Sequence, residues 1–499
     1  MASVAEIKAF AEKYDIKNVE LIQTGAFVNG KWINESSEKF AVEDPASGEH
    51  LLNVVNTPLE TIEQSIVDAE IAFKKFKSES TGRSRAALLK KLFDLMTENA
   101  EDLAKLCTIE NGKSLADSRG EIKYGSSFFE WFAEEAPRIN GDNISSADGK
   151  RRIITYKQPI GVVGILTPWN FPSAMITRKL GAAIAAGCTA VIKPATETPL
   201  SALAVAYLCQ KAGFPKGVVN VMPVDQERTK LVGTLFCESS KIKKISFTGS
   251  TGVGKLLMGQ SASTLKKLSM ELGGNAPFIV FDDADIEKAV AGAIACKLRQ
   301  SGQTCVCANR LYIQEGIYEE FSTKLTEAVN NLKLGHGLHP ETTHGPLIHD
   351  RAVAKVSEHV KDAVSKGAKI LTGGNIRTDL GPNFHDLTVL GDVPKTAAVN
   401  TDETFGPLVP LIKFSTEEEV IELANNTEYG LAGYFFTNDY AKIFRVGEAL
   451  NCGMVGANAG GMTEAALPFG GVGWSGFGRE GSKYGVDDYI VLKSLVVQL

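Results

Sequence analysis

The chain has 499 residues, enough for two or three domains, each with its own core. Its composition, 44% hydrophobic and 22% charged, is that of a soluble globular protein, and no run approaches the roughly 20 apolar residues that span a bilayer. The net charge of −6, with both signs mixed along the chain, argues against nucleic acid, and the short runs Lys241, Lys243, Lys244 and Lys266, Lys267 read as solvated rims.

At the start, Val4, Ile7, Phe10, Ala11 and Tyr14 recur at helical spacing among Glu6, Glu12 and Asp15, with no arginine. That pattern predicts an amphipathic surface helix rather than a targeting leader, and the cytosol as compartment. Residues 60–135 read as helices, most clearly "AALLKKLFDLMTENAEDLAKLC" at 86–107. From about residue 160, strands at 161–167, 189–193, 218–224 and 242–248 alternate with helices at 173–187, 199–213 and 225–239. Continuous Val/Ile runs alternating with amphipathic helices predict an α/β fold with a doubly wound parallel sheet, which binds ligands at the carboxyl ends of its strands. A second strand–helix series runs from "NAPFIVF" at 275–281 to about residue 450, with turn-rich breaks at 271–275, 335–346 and 458–478. His336, His339, His344 and His349 crowd into "GHGLHPETTHGPLIHD" at 335–350, a Pro/Gly loop with no cysteine and no HExxH helix, so no metal site is expected. The eight cysteines are scattered, mostly in apolar runs, as reduced core thiols are.

The stretch "FTGSTGVGKL" at 247–256 follows a strand and opens a helix, so its amides and the helix dipole favour an anion, although such turns also occur for packing alone. A nucleoside-triphosphate loop needs Ser or Thr after Lys255, where this chain has Leu256. Lys193 ends another strand of the same sheet, where a cofactor ribose would lie, which favours a dinucleotide. Cys305, in the polar "GQTCVCANR" at 302–310, is more accessible than a helical thiol, a condition of reactivity. Glu271 ends the apolar run of "LSMELGGN", and "TPWNFP" at 167–172 ends the first sheet strand.

Taken together these segments resemble the aldehyde dehydrogenase superfamily, in order along nearly the whole chain: PWN at 168–170, "KPATETPLSA" at 193–202, "FTGSTGVG" at 247–254, "ELGG" at 271–274, "GQTC" at 302–305, "ETFGP" at 403–407 and "PFGG" at 468–471. The resemblance implies a Rossmann-like NAD(P)-binding domain from 20–137 and 159–272, an α/β catalytic domain from 273–465, and a small β oligomerisation arm from 138–158 and 484–499, assembled as a homotetramer. The exposed edge of the last strand, "YIVLKSLVVQL", invites such pairing. It also implies Cys305 as nucleophile, Asn170 and the Cys305 N–H as the oxyanion site, and Glu271 as the base that activates water for thioester hydrolysis. Lys193 and Glu403 would bind the cofactor's ribose hydroxyls, Phe405 would lie beside the nicotinamide, and Gly249 and Ser250 would meet the pyrophosphate. Thr167, Pro168, Trp169, Thr196, Gly254 and Leu272 complete that implied cofactor site.

"SAMITRK" at 173–179 and "GQTCVCANR" are similar to the succinate-semialdehyde dehydrogenase branch. By that likeness Arg178 and Arg299 would clamp a substrate carboxylate bidentately, helped by the Thr463 hydroxyl. Thr463 replaces the branch's usual Ser, so glutarate semialdehyde or a broader range of aliphatic aldehydes is the alternative substrate, and a non-catalytic nucleotide-binding relative is the remaining one. Gly473-Trp474 stands where the branch has Lys and a polar residue. A glutamate at 196 would repel a 2′-phosphate; Thr196 does not, although Glu197 adjoins it, so use of both NADP and NAD is expected, with NADP preferred. Cys307 would form a reversible disulfide with Cys305, a redox switch. The partners expected are a small-molecule semialdehyde and further copies of the chain, with no nucleic acid and no membrane.

Overall fold

The strand at Val162–Leu166 is buried at every position, and its neighbours in the sheet are those the Val/Ile runs predict. In this computed structural model, which describes residues 3–499, Val219–Val221, Thr189–Lys193, Val162–Leu166, Ile242–Thr248 and Lys267–Glu271 lie side by side, all parallel. Antiparallel edges close both sides, Ala26–Val28 with Lys31–Ile33 on one and Gly476–Phe477 on the other. The chain builds outward from Val162–Leu166 through 189–193 to 219–221, then returns to lay 242–248 against its other side. That reversal opens a crevice at the carboxyl ends of 162–166 and 242–248, where doubly wound sheets bind ligands.

Helix Ala174–Ala186 is buried along its whole length, because helix Leu115–Glu135 covers the face turned away from the sheet. Close approach needs glycine on each: a Cβ at Gly125 would press on Ala174, and one at Gly181 on Phe132. The second sheet runs Lys369–Thr372, Thr388–Gly391, Leu408–Phe414, Ala308–Gln314, Ala276–Val280, Ala432–Phe436, Met454–Ala457, parallel except for its first strand. Residues 272–275 join Glu271, at the carboxyl end of the first sheet, to the start of Ala276–Val280. The carboxyl edge of one sheet is thereby set against the amino edge of the other. Asn143–Ser145, Arg151–Pro159 and Ile490–Gln498 form a separate antiparallel sheet whose residues are mostly exposed, Leu492 by 64%.

The α/β, doubly wound reading holds, and several details of it do not. The run 86–107 is two helices, Gly82–Glu98 and Ala100–Asn111, because the Asn99 side chain bonds back to the Leu95 carbonyl (2.8 Å) and also accepts from Asn18. Pro223 lacks an N–H, and the strand read at 218–224 shortens to Val219–Val221. Lys244 is no rim residue: strand alternation turns it inward, fully buried, donating to the Ser269 hydroxyl. The clustered histidines do structural work, His336 on Asp44 (2.9 Å) and His349 capping helix Asp350–Ser365. The N-terminal helix forms over Val4–Lys13 with Phe10 and Ala11 buried, capped by Ser3 and Glu6; residues 1 and 2 lie outside the described residues.

Candidate active site

Cys305, the expected nucleophile, sits at the end of an irregular turn. Helix Ile286–Ala293 runs into a π-helical turn, Ile294–Leu298, and then Gln300, Ser301 and Gly302 follow with φ of 51°, 53° and 78°. Two non-glycine residues in the left-handed region cost about 1–3 kcal/mol each and persist only where the surroundings fix them. Here Gln300 Nε2 donates to the Asn170 carbonyl (2.6 Å), Ser301 Oγ to the Gly345 carbonyl (2.7 Å), and Gln303 Oε1 accepts from Ile348 N–H (3.0 Å). Gly302 has no room for a side chain against the Gly406 carbonyl. Gly274 lies equally close to the Cys305 carbonyl, which brings the inter-sheet linker onto the nucleophile.

Asn170 is oriented from both ends. One amide hydrogen goes to the Gln303 carbonyl (3.1 Å), its Oδ1 accepts from Phe171 N–H (3.1 Å), and its own carbonyl accepts from Lys113 Nζ (2.7 Å). Lys113 is paired with Glu121, both side chains fully buried. Glu121 also accepts from the Ser173 and Ala174 N–H groups (2.8 and 3.1 Å), capping the helix that carries Arg178. Asn111 holds the Trp169 carbonyl (2.9 Å). The Cys305 N–H has no partner among the described residues.

Glu271 Oε2 accepts from Arg178 Nη2 (3.1 Å), while Oε1 is buried with no settled hydrogen bond among the described residues. Burial, followed by the neighbouring Glu271 carboxylate, pushes the Cys305 thiol well up, with Arg178 opposing. The group beside an unpaired carboxylate oxygen is thus a protonated thiol, the arrangement a general base requires. Arg178, 1% exposed, also binds Glu480, which is shared with Lys179, and lies 4.2 Å from the Phe469 ring centroid. Arg299 differs: half-buried over Phe171 at 5.2 Å, it has no carboxylate partner among the described residues. Thr463 is half-buried in the loop before PFGG without a hydrogen bond, and Cys307 is buried, its N–H on the Thr304 carbonyl (3.0 Å).

A cavity of about 220 Å³ brings Cys305 and Asn170 together with Pro168, Trp169, Gly249, Ser250, Leu272, Glu403 and Phe405, and adds Thr248 and Gly273. Ser250 caps helix Thr251–Ser261, and a helix start of this kind favours an anion. Glu403 accepts from Gly274 N–H (2.9 Å), and burial pushes its carboxyl up to about 7. Phe405 stands edge-on to Trp169 at 5.7 Å. Lys193 and Thr196 lie outside this cavity, grouped with Thr229: Lys193 Nζ donates to Thr229 Oγ1 (3.1 Å), and Thr196 Oγ1 to the Val224 carbonyl (3.0 Å). Burial pushes the Lys193 ammonium down to about 8, with Glu197 opposing. Thr167 is buried, its N–H on the Lys193 carbonyl (3.3 Å), and Gly254 gives packing room to Leu272. A larger hollow of about 800 Å³ lies between helices Leu59–Glu79 and Gly82–Glu98, and none of the expected catalytic residues lines it. Lys113, Glu121, Gln300, Thr229 and Glu480 were not singled out from the sequence. For Lys113 the one hint is "ENGKS" at 110–114, a helix end with glycine, which does not foretell a buried ion pair with Glu121.

Residues 32–495 match the Aldehyde dehydrogenase family. The chain is 52% identical over 97% of its length to a succinate-semialdehyde dehydrogenase [NADP(+)] of Saccharomyces cerevisiae, covering 97% of that protein. It is 51% identical over 97% of its length to a glutarate-semialdehyde dehydrogenase of Pseudomonas putida, covering all of it. A crystal structure of succinate-semialdehyde dehydrogenase from Burkholderia pseudomallei superposes with a TM-score of 0.95 at 49% identity, over 97% of this chain and 100% of that one.

Proposed function

This chain belongs to the aldehyde dehydrogenase family, and we propose that it oxidises succinate semialdehyde to succinate with NADP⁺. The observation that carries the reading is the unpaired Glu271 oxygen beside the Cys305 thiol, at a cavity shared with Asn170, Glu403 and Phe405. The residues present fit a nicotinamide dinucleotide: a capped helix start for phosphate, the Lys193–Thr196–Thr229 group on one side and the Glu403 carboxyl on the other. When bound, that nucleotide supplies the acceptor for a hydride.

Glu271 takes the thiol proton, and the Cys305 sulfur bonds to the aldehyde carbon. The oxygen that gains charge is held by the free hydrogen of the Asn170 amide and by the Cys305 N–H. The carbon then gives up its hydride as the carbonyl re-forms, leaving a thioester on Cys305. Glu271, its proton lost to solvent, takes another from an attacking water and returns it to the departing sulfur. Arg299 leads in binding the substrate carboxylate, with Arg178 and the Thr463 hydroxyl helping, because Arg178 already serves two carboxylates.

Lys193 offers an ammonium to a 2′-phosphate, and Thr196 sets no carboxylate against it, which supports NADP⁺; NAD⁺ lacks only that contact, so both serve. We assign 20–137 and 159–272 to cofactor binding, 273–465 to catalysis, and 138–158 with 484–499 to a homotetramer interface in the cytosol. The exposed Leu492 and Val496 support the interface and the eight unpaired thiols the compartment. Light scattering on the purified protein tests the interface: a monomeric mass overturns it. Cys307 and Cys305 form a disulfide when peroxide accepts two electrons and both thiol hydrogens, giving water. Dithiothreitol then restores turnover, and inactivation that survives unchanged in Cys307→Ala removes the switch.

The deciding experiment is a kinetic panel of four- and five-carbon semialdehydes and uncharged aldehydes, each with NADP⁺ and NAD⁺. The four-carbon semialdehyde with NADP⁺ is expected to give the highest kcat/KM. A five-carbon optimum moves the reading to glutarate semialdehyde, which the Pseudomonas putida relative supports, and an uncharged optimum removes the carboxylate clamp.

A further inference from the structure

We propose that Trp474 is a latch across the mouth of the cofactor cleft, a positioning residue that holds the phosphate-loop helix Thr251–Ser261 against the short strand Tyr429–Gly430. The dipeptide Gly473-Trp474 stands where the similar branch has Lys and a polar residue, and the structure gives it a specific seat. Gly473, at φ 60°, lets the chain turn against the Glu428 carbonyl, and Trp474 N–H donates to that same carbonyl (2.8 Å). The indole that follows, 43% exposed, stands between two elements. On one side Lys255 Nζ lies 3.3 Å from its ring centroid, and on the other Tyr429 packs edge-on at 6.1 Å.

The backbone of the segment completes the bridge. The Trp474 carbonyl accepts from Thr251 Oγ1 (3.1 Å), at the first residue of the phosphate-loop helix. Ser475 Oγ donates to the Gly273 carbonyl (2.7 Å) and accepts from Gly430 N–H (3.0 Å), while Leu272 N–H donates to the Ser475 carbonyl (3.1 Å). One short segment thus ties the phosphate loop, the linker after Glu271 and the strand start at Tyr429. Tyr429 and Glu403 both crowd the spot where a Gly273 side chain would stand, so the latch ends at the wall of the cavity that holds Cys305. Every contact of the indole is with positioning elements rather than with Cys305 or Glu271. Its removal therefore acts on the fit of the cofactor and leaves the thiol chemistry in place.

The proposal rests on the cavity being the nicotinamide-nucleotide site, and the test separates the two. NADPH is titrated by fluorescence into the wild type, Trp474→Ala, Trp474→Phe and Lys255→Met, with hydrogen exchange of residues 249–261 followed in the cofactor-free proteins. Trp474→Ala is expected to raise the Kd for NADPH about fivefold, the size of a lost cation–π contact, and to speed exchange at the helix start. Trp474→Phe restores most of both, Lys255→Met reproduces about half of the loss, and the double variant adds little beyond Trp474→Ala. Kinetic runs should show the effect in the cofactor KM, with kcat within twofold. An unchanged Kd and unchanged exchange in a normally folded Trp474→Ala overturn the latch; failure of the wild type to bind NADPH overturns the cofactor site itself.

Discussion

On the cofactor side of the cleft, Lys193 is the last residue of its strand, Thr196 follows three residues later, and Ser250 caps the helix that begins after strand Ile242–Thr248. On the nucleophile side, Cys305 is held by contacts that span 44 to 130 residues of sequence, from Ser301 to Gly345 and from Gln300 to Asn170, with the Lys113–Glu121 pair beneath. The first site follows from local chain geometry, since any strand feeding a helix in such a sheet presents its loop at the carboxyl edge. The second exists only once remote segments have packed, and it holds two non-glycine residues in the left-handed region. The cofactor side therefore tolerates loss of single contacts, while the nucleophile side depends on a connected polar network.

The sharpest break is chemical. Cys305→Ala removes the atom that bonds to substrate, and turnover should fall by at least about a thousandfold while cofactor binding persists. Steady-state rates and an NADPH titration on the same sample check it; undiminished turnover removes the mechanism. Next in size comes the buried pair. Lys113→Met leaves Glu121 charged and unpaired in the core, a change that costs about 3–5 kcal/mol and loosens Asn170 at the same time. Thermal unfolding should show a clear fall in Tm and kinetics a fall in kcat larger than any change in KM. Lys193→Met, on the other side of the cleft, should weaken cofactor binding with little change in Tm. Equal losses of stability in the two variants would erase the contrast between the sites.

How far each side was legible follows from the same contrast. The parallel strands were readable because both of their faces are buried, which forces unbroken Val/Ile runs such as 162–166 and 189–193. Cys305, Glu271 and Asn170 were readable as candidates because each lies in a compact motif. Their support was not. Nothing in local sequence tells a buried lysine from a solvated one, so Lys113 and Lys244 were invisible as core residues. Gln300 and Ser301 carry no sign of a left-handed backbone, and only Gly302 beside them marks the turn. Asn99 breaks a helix through one side-chain bond that helical periodicity does not register.

The two arginines carry the comparison into substrate recognition. Arg178 is already bound to Glu271 and Glu480, whereas Arg299 lies over the Phe171 ring with no carboxylate partner among the described residues. Arg299→Gln should raise KM for a carboxylate-bearing semialdehyde about 10- to 100-fold, the worth of a charge-assisted contact, and leave an uncharged aldehyde within about twofold. An equal rise for both aldehydes would return Arg299 to a packing role.

The smallest effect expected is a pH dependence on the cofactor side. Burial brings Lys193 down to about 8, so it is cationic below that value and neutral above it. Thr229 and Thr196 beside it are uncharged, and Glu197 is the one anion that acts on it. A phosphate bound there favours the ammonium, so affinity for NADP⁺ should be full near pH 7 and fall a few-fold by pH 9. Glu403, brought up to about 7, loses its proton over the lower part of that range and would act at the other end of the cofactor. The two are separable, because Lys193→Met should flatten the NADP⁺ curve above pH 8 and leave any inflection near 7 intact. A wild-type Kd that stays level from pH 7 to 9 would mean that the ammonium does not reach the phosphate, and that the lack of a carboxylate at Thr196 carries the preference alone.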